Sequence, residues 1–457
     1  MAQESFDCII IGSGPGGYVA AIRAAQLGLS VAVVEQDKVG GRCLNYACIP
    51  AKAVLRSADI LDEVREASEF GITVGEPTVD FGAVGERREK VIGTLVGGVE
   101  MLLKKNKVEL IAGTATLTGA ISVSVGGREL EASKGIILAT GSVAQAIPGA
   151  SFGATVIDTA DAWALEALPK KLAVVGAGPS GCEIASAYAR FGVEVDLFEA
   201  LDRVLPGEDK DISRLVERSF TEQGISVHTS TLIGDIEPGK RSVSYSYGDE
   251  TGEADWLVIA AGRGADVESL GLGAAGLELD QHGLIAVDGQ LRTSVPGLYA
   301  IGDLVHGPAL AHKASEEGII AAETIAGENP APLDYIDIPR ATFCAPNVAS
   351  FGLTEEQAKE QGFDVTIGKV PYGAVGAGTL YGDRGGLVKI VGDKKYGELL
   401  GGHIVGAKAT ELIQELVNAK LLEGGYPEVA RFVHGHPTMS EAVLEAARAA
   451  DGWLIHG

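Results

Sequence analysis

The chain has 457 residues, 46% of them hydrophobic and 63 of them glycine, which suits about three to four domains of roughly 100 to 150 residues in a turn-rich α/β protein. A formal charge of −25 repels phosphate backbones and anionic lipid surfaces, so neither nucleic acid nor membrane is an expected partner. No apolar run approaches the roughly 18 residues of a membrane span, and the start, MAQESFDCIIIGSG, lacks the basic flank of a signal peptide, so a cytoplasmic protein is expected.

Residues 6 to 35, FDCIIIGSGPGGYVAAIRAAQLGLSVAVVE, run from an apolar strand through a glycine turn into an alanine-rich helix and a second strand that ends in an acid. This βαβ unit has the form of a dinucleotide cradle. Gly12 allows the tight turn, Gly14 lets the backbone approach a pyrophosphate at the helix amino terminus, and Gly17 lets helix and strand pack closely. Pro15 and Gly16 complete the turn, and Glu35, 18 residues beyond Gly17, can accept hydrogen bonds from a ribose.

GGRCLNYACIPAK, residues 40 to 52, follows directly. Five scattered cysteines, at 8, 43, 48, 182 and 344, form no disulfide framework, and in a reducing compartment a close pair points to catalysis or metal binding. The metal reading of Cys43 and Cys48 is poor, because structural zinc sites favour shorter spacing and need a second pair. In an ideal helix residues five apart lie beyond the roughly 7 Å bridging limit between Cα atoms, so a disulfide here needs an irregular first turn and is strained and reducible. A helix amino terminus favours a thiolate, and Lys52, one turn past Cys48, adds positive charge. The pair reads as redox-active.

The cradle returns at 172 to 199, LAVVGAGPSGCEIASAYARFGVEVDLFE, with Gly176, Gly178, Pro179, Ser180, Gly181 and, again 18 residues on, Glu199. One glycine fingerprint is weak evidence, but two in the full strand-turn-helix-strand-acid setting imply two dinucleotides, most simply a tightly held flavin and a diffusible nicotinamide. Glu199 repels the 2′-phosphate of NADP and can accept from the 2′-hydroxyl of NAD. Arg203 could serve a phosphate, although a lone arginine in a turn is more often a solvated charge. GIILATGS (135 to 142) and LVIAAGR (257 to 263) each read as a buried strand entering a small-residue turn, one after each cradle. TSVPGLYAIGD ends at Asp303, which either caps a strand end or holds a polyol hydroxyl.

From about Ile336 the pattern changes to strands and helices without a cradle, as for a separate unit that covers a site or builds a dimer. Thr354 with Gln357 predicts a capping box, and Thr410 is expected to open an amphipathic helix that stops at Gly424-Gly425. RFVHGHPTMSE, 431 to 441, supplies His434, His436 and Glu441, a histidine with a carboxylate one turn on, as thiol exchange at neutral pH requires of a base.

GGRCLNYACIPAK, the two cradles, AIGD, GPALAHKASEEG and HGHPTMSE, in this order over nearly the whole length, resemble the flavin disulfide reductases, the class I pyridine nucleotide-disulfide oxidoreductases, and among them those that oxidise dihydrolipoyl groups. The resemblance implies an FAD-binding domain at 1–148, an NAD-binding domain at 149–269, a central segment at 270–335 that completes the FAD site, and a C-terminal α+β dimerisation domain at 336–457. It assigns the first cradle, Glu35, Gly41, Arg42, Cys43, Lys52, Gly113, Thr140, Gly141, Ser142, Asp303, Ala309, Leu310, Ala311 and His312 to FAD. The second cradle, Glu183, Glu199 and Gly262 are assigned to NAD, and no residue to a metal. It makes Cys43 the thiol that exchanges with substrate, Cys48 the one that faces the flavin, and His436 with Glu441 the base. The implied partners are a second copy of the chain and dihydrolipoamide, or a lipoylated carrier protein of a 2-oxo acid dehydrogenase or glycine cleavage complex. The chain departs from the family where Arg42 replaces Thr or Ser, Tyr46-Ala47 replaces Val-Gly, and Ala51 replaces Ser. Among sister enzymes, glutathione reductase would need basic residues in place of Glu199, and mercuric reductase and large thioredoxin reductases would need a redox tail in place of DGWLIHG. A reductase of another small thiol and a flavin-bearing, nucleotide-sensing interaction protein are the remaining alternatives.

Overall fold

The computed structural model describes residues 4–457, so the first three residues of the expected 1–148 domain lie outside it. Two dinucleotide-type sheets followed by an α+β unit make up the fold, as expected. The run Cys8–Ile11 is buried because strand Glu4–Ile11 lies inside a sheet covered on both faces, paired in parallel with Val31–Glu35 and Arg128–Leu138. Glu109–Ala112 extends that sheet, and Ser122–Val125 with Ala115–Leu117 forms its antiparallel flank. Much later in the chain Leu298–Ala300 returns to pair with Arg128–Leu138, which brings Asp303 against the turn that follows Leu138.

The second sheet is wholly parallel, in the order Ser226–His228, Glu194–Phe198, Lys171–Val175, Trp256–Ile259, Val156–Asp158. An antiparallel layer of Ile233–Pro238, Val243–Tyr247 and Glu250–Ala254 joins it, with the Tyr245 hydroxyl donating to Asp196 at 3.1 Å and its ring meeting Phe198 edge-on. The exits of the two sheets are stitched together by a ribbon in which Ser142–Ala144 pairs with Arg263–Ala265. GIILATGS and LVIAAGR therefore end at one junction.

The C-terminal sheet is antiparallel, ordered Arg340–Thr342, Val348–Gly352, Glu398–Val405, Leu387–Asp393, Val365–Pro371, and is backed by helices Ala409–Leu421 and Ser440–Ala450. The capping box forms, with the Gln357 N–H donating to Thr354 Oγ1 at 3.2 Å and the Thr354 N–H to Gln357 Oε1 at 2.9 Å. Thr410 does not open its helix. The chain turns at Lys408, in left-handed backbone at φ 61°, and the Lys408 carbonyl accepts from the Glu411 and Leu412 N–H groups, so backbone bonds start the helix at Ala409 and leave Thr410 inside it. Among the described residues no helix is long and apolar enough to cross a membrane.

Helix Ala311–Ala326 lies directly on helix Pro15–Gln26 of the first cradle, and small residues make the approach possible: a Cβ at Gly318 would come 2.4 Å from the Gly16 carbonyl oxygen. Gly318→Ala must push the two helices apart. Overpacking of this kind costs about 1–3 kcal/mol, so the variant should show a lower thermal midpoint and release FAD at lower denaturant than the parent chain, measured by flavin fluorescence.

Candidate active site

The two cradles share one geometry down to individual atoms. Gly12 and Gly176 adopt φ of 101° and 100°, backbone open to glycine alone, and a Cβ at Gly17 or Gly181 would lie 1.9 or 1.8 Å from the carbonyl oxygen of Gly12 or Gly176. The acids brace the loops. Glu35 accepts from the Ser13 N–H at 2.9 Å, the Ser13 hydroxyl at 2.6 Å and the Asp37 N–H at 2.9 Å, while Glu199 accepts from the Ala177 N–H at 2.7 Å and the Leu201 N–H at 2.9 Å. Pro15-Gly16 and Pro179-Ser180 open the two cradle helices, with Gly14 and Gly178 as their extended N-caps. Both cradles fit a dinucleotide on the same observation: a Cβ at Gly14 or Gly178 would meet nothing within 4 Å, so the middle glycine leaves its backbone open to a ligand.

The other residues expected at the flavin gather around the first cradle. A Cβ on Gly41 would meet Gly14 Cα at 2.7 Å, which presses the thiol segment onto the cradle loop. Gly113 donates to the Glu35 carbonyl at 2.8 Å, and the Thr140 hydroxyl donates to the Asp266 carbonyl at 2.5 Å, with Gly141 in left-handed backbone beside it. The Ser142 hydroxyl donates to Asp303, and Arg263 Nε donates to that same hydroxyl at 2.9 Å and lies 3.9 Å from the Asp303 carboxylate. Asp303 is thus held by side chains rather than acting as a strand cap. Ala309 and Leu310 lead into helix Ala311–Ala326, and His312 Nε2 bonds the Pro339 carbonyl at 2.7 Å. Gly262 accepts from the Gln145 N–H at 3.2 Å at the stitched ribbon.

Cys43 lies inside the short helix Gly41–Asn45 and Cys48 begins the long helix Cys48–Arg65. The break between the helices supplies the irregular turn that the spacing demanded, and Asn45 braces it by donating to the Val39 and Gly41 carbonyls at 3.0 and 2.9 Å. Interaction with Cys43 first, and the charge of Lys52 with it, lower Cys48 below the ordinary thiol range, while Cys48 and burial raise Cys43. The pair thus favours its thiolate at Cys48. Burial raises Cys8, Cys182 and Cys344 instead, so those thiols are inert.

Lys52 and Glu183, expected at different cofactors, meet: Lys52 Nζ lies 2.8 Å from both carboxylate oxygens of Glu183 and 4.7 Å from the Phe343 ring centre, and the Phe343 N–H donates to Glu183 at 2.9 Å. Ser13, Arg263 and Phe343 were missed in the sequence reading; only Ser13, inside the fingerprint, carried a local signal. Arg203 pairs with carboxylates, lying 3.6 Å from Asp202 and 3.8 Å from Glu356.

His436 and Glu441 come together, Nδ1 to Oε1, at 2.9 Å, and Glu441 also accepts from the Thr438 N–H at 2.9 Å. The His436-Pro437 bond is cis. The His436 side chain is 75% exposed, and among the described residues no hydrogen bond or ion pair joins it to the thiols of its own chain. His434 is buried against Glu415 at 2.6 Å and is spoken for structurally.

Residues 6–318 match the family described as pyridine nucleotide-disulphide oxidoreductase, and residues 338–447 match its dimerisation domain. The chain belongs to this family. A Bacillus subtilis protein named dihydrolipoyl dehydrogenase is 42% identical over 98% of this chain and 97% of its own, and one of the same name from Zymomonas mobilis is 42% identical over 99% of each. Among solved structures, LpdA from Mycobacterium tuberculosis superposes with a TM-score of 0.90 at 26% identity over 96% of this chain and 99% of its own. The HOCl-induced flavoprotein disulfide reductase RclA from Escherichia coli, in its Cu(II) complex, gives 0.88 at 26% over 99% of each. The protein is a flavin-dependent disulfide oxidoreductase that works with FAD and NAD and forms a homodimer.

Removing Lys52 takes a cation from Cys48 and leaves a buried carboxylate half-paired. Lys52→Met should raise the pKa of the Cys48 thiolate, followed by thiolate absorbance. It should also cost stability, at or below the roughly 3–5 kcal/mol of a fully buried pair, because Lys52 keeps a third of its exposure. Glu199→Ala removes the charge set against a 2′-phosphate; desolvated charge contacts are worth about 1.5–3 kcal/mol, so the preference for NAD over NADP should narrow about tenfold or more in parallel kcat/KM measurements.

Proposed function

We propose that the enzyme oxidises dihydrolipoyl groups, as free dihydrolipoamide or on the carrier protein of a 2-oxo acid dehydrogenase or glycine cleavage complex, and passes the electrons to NAD. The observation that carries this reading is the thiol pair at the broken helix beside the first cradle, with Cys43 in the short helix and Cys48 at the start of the long one, where a thiolate is favoured. Near-full-length likeness to proteins named dihydrolipoyl dehydrogenase supports the substrate. A reductase of another small thiol is the alternative that the departures at Arg42, Tyr46, Ala47 and Ala51 keep in view.

In the oxidised enzyme Cys43 and Cys48 are joined. His436, oriented by Glu441, takes the proton of one substrate thiol, and the thiolate attacks the Cys43 sulfur; the Cys43–Cys48 bond breaks and Cys48 leaves as the thiolate its environment favours. The second substrate thiol then attacks the substrate sulfur of the mixed disulfide, closing the lipoyl ring; its proton passes to the departing Cys43 sulfur, so Cys43 is released as a thiol and the first proton stays on His436 until it is given to solvent. FAD, when bound, relays the electron pair of the dithiol to NAD, so that each turnover yields lipoyl disulfide, NADH and a proton. The residues that would hold FAD are the first cradle with Glu35, Gly41, Arg42, Lys52, Gly113, Thr140 to Ser142, Asp303 and Ala309 to His312; those for NAD are the second cradle with Glu183, Glu199 and Gly262. The boundaries 1–148, 149–269, 270–335 and 336–457 follow the changes of sheet. A cytoplasmic location agrees with sparse, scattered cysteines.

The base comes from the partner subunit in this reading. What supports it is that His436 is exposed beside the exposed Phe432 and Val433 in the dimerisation domain, and that a two-fold axis makes each contact twice. Pairing a His436→Ala subunit with a Cys43→Ser subunit gives a dimer in which one site carries both defects and the other neither. With differently tagged subunits, the isolated mixed dimer should show about half the parental lipoamide-dependent NAD reduction. Activity no higher than either parent mutant rules out a base supplied across the interface. Oxidation of glutathione or another thiol in preference to dihydrolipoamide, by the unaltered dimer, rules out the substrate.

A further inference from the structure

Arg42 sits between the cradle-facing Gly41 and the exchanging thiol Cys43. Its guanidinium reaches out of the thiol segment to the other nucleotide-binding unit: Nη2 donates to the Thr159 hydroxyl at 3.0 Å, and Nη1 lies 3.7 Å from the Asp158 carboxylate. Asp158 is already committed, since it caps helix Thr159–Ala164 by accepting from the Ala160 and Asp161 N–H groups at 2.8 and 2.9 Å. Arg42 Nε is buried and donates to no group of the chain. Arginine cannot shed its charge to escape such a position.

A second guanidinium shares the compartment. Arg263, at the stitched ribbon, donates to Ser142 and faces Asp303, and it feels Arg42, Asp303, Asp158 and Cys48 together; burial first, and repulsion by Arg42 second, pull it down to about 10. The two guanidiniums meet two carboxylates, Asp158 and Asp303, and Asp161 also lies in the field of Arg42. Without Arg42 these carboxylates would outnumber the one guanidinium left beside them.

We propose that Arg42 is a potential-setting residue: with Arg263 it offsets the carboxylates at the junction of the thiol segment and the two nucleotide-binding units, and so favours the two-electron-reduced enzyme over the oxidised one. Reduction by NADH delivers a hydride. It breaks the Cys43–Cys48 bond, leaves one sulfur as thiolate, and gives the other a proton, so the reduced active site carries an extra negative charge that the oxidised site lacks. A fixed cation nearby stabilises that form. The alternative source of negative charge is the FAD pyrophosphate, present in both redox states; a cation that serves only the pyrophosphate raises FAD affinity and leaves the potential alone. The inference rests on the FAD and thiol assignments but not on the lipoyl substrate, so its test uses NADH and no lipoamide.

The test compares Arg42→Thr, Arg42→Gln and Arg42→Lys as FAD-loaded dimers with the parent. Each is equilibrated without oxygen against NADH/NAD mixtures and a reference dye, the flavin absorbance is followed, and FAD per chain is measured separately. In Arg42→Thr and Arg42→Gln the equilibrium for two-electron reduction should fall about tenfold, a shift of about 30 mV to more negative potential, while Arg42→Lys keeps most of the parental value. FAD-loaded neutral variants with an unchanged potential would overturn the proposal. So would Lys falling together with Thr and Gln, which makes the forked tether to Thr159 and Asp158 the function rather than the charge, and so would failure of both neutral variants to hold FAD at all, which makes Arg42 a clamp on the cofactor. Failure of the unaltered dimer to oxidise dihydrolipoamide, with the NADH equilibrium of the variants shifted as expected, sinks the substrate reading and leaves this one standing.

Discussion

A single buried carboxylate holds the parts of this enzyme in register. Glu183 is 4% exposed, and it is tolerated there because Lys52 meets both its oxygens and the Phe343 N–H meets one of them. An unpaired carboxylate at that depth would cost several kcal/mol, so the thiol helix, the second cradle helix and the entry to the C-terminal sheet are each required by the other two. A second pair repeats the tie two turns on: Arg190, also buried, reaches Asp59 at 2.7 Å. On the thiol helix the order is cation then anion, and on the cradle helix anion then cation. A slip of two turns would set Lys52 against Arg190 or Asp59 against Glu183, so the charges reject the wrong register as well as hold the right one.

From that fixed frame the two cradles are presented as copies with one chemical difference. Both use an acid at the end of the second strand to hold the first amide of the glycine loop, and both leave the middle glycine open. The first adds Ser13, whose hydroxyl gives Glu35 another donor where the second has Ala177, and its helix is sealed by Ala311–Ala326 at the closest approach glycine permits. More of the acid's lone pairs are used in the first cradle. That difference suits a resident cofactor in the first and an exchanging one in the second.

What the sequence disclosed and what it hid divide by distance along the chain. Each cradle, the thiol pair and His436 with Glu441 are patterns contained within about a βαβ unit or one helical turn, where spacing maps directly onto geometry. The capping box at Thr354 belongs to the same group. Lys52 with Glu183 are 131 residues apart, Arg42 with Thr159 117, and Arg263 with Ser142 121, and nothing local marks those partnerships. Thr410 misled because a capping residue competes with a backbone turn at Lys408 that needs no side chain. Arg203 shows the same limit: its partner, Glu356, lies in another unit and could not be read from the turn that carries it.

The same distance rule explains why the thiols are polarised as they are. Both cysteines lie near a helix start, but Cys43 is the third residue of a five-residue helix, which has little aligned dipole, whereas Cys48 is the first of an 18-residue one. Local structure thus already favours the anion at Cys48. Lys52 strengthens the preference and Glu183, by its charge, weakens it. The pair that locks the units together is therefore also a trim on the thiolate: as long as lysine and carboxylate remain bonded, Cys48 sees a nearly neutral couple with the cationic end nearer. Any motion that separated the thiol helix from the second cradle would unbalance that couple, so the geometry of the domain junction and the charge of the reacting sulfur are not independent quantities in this fold.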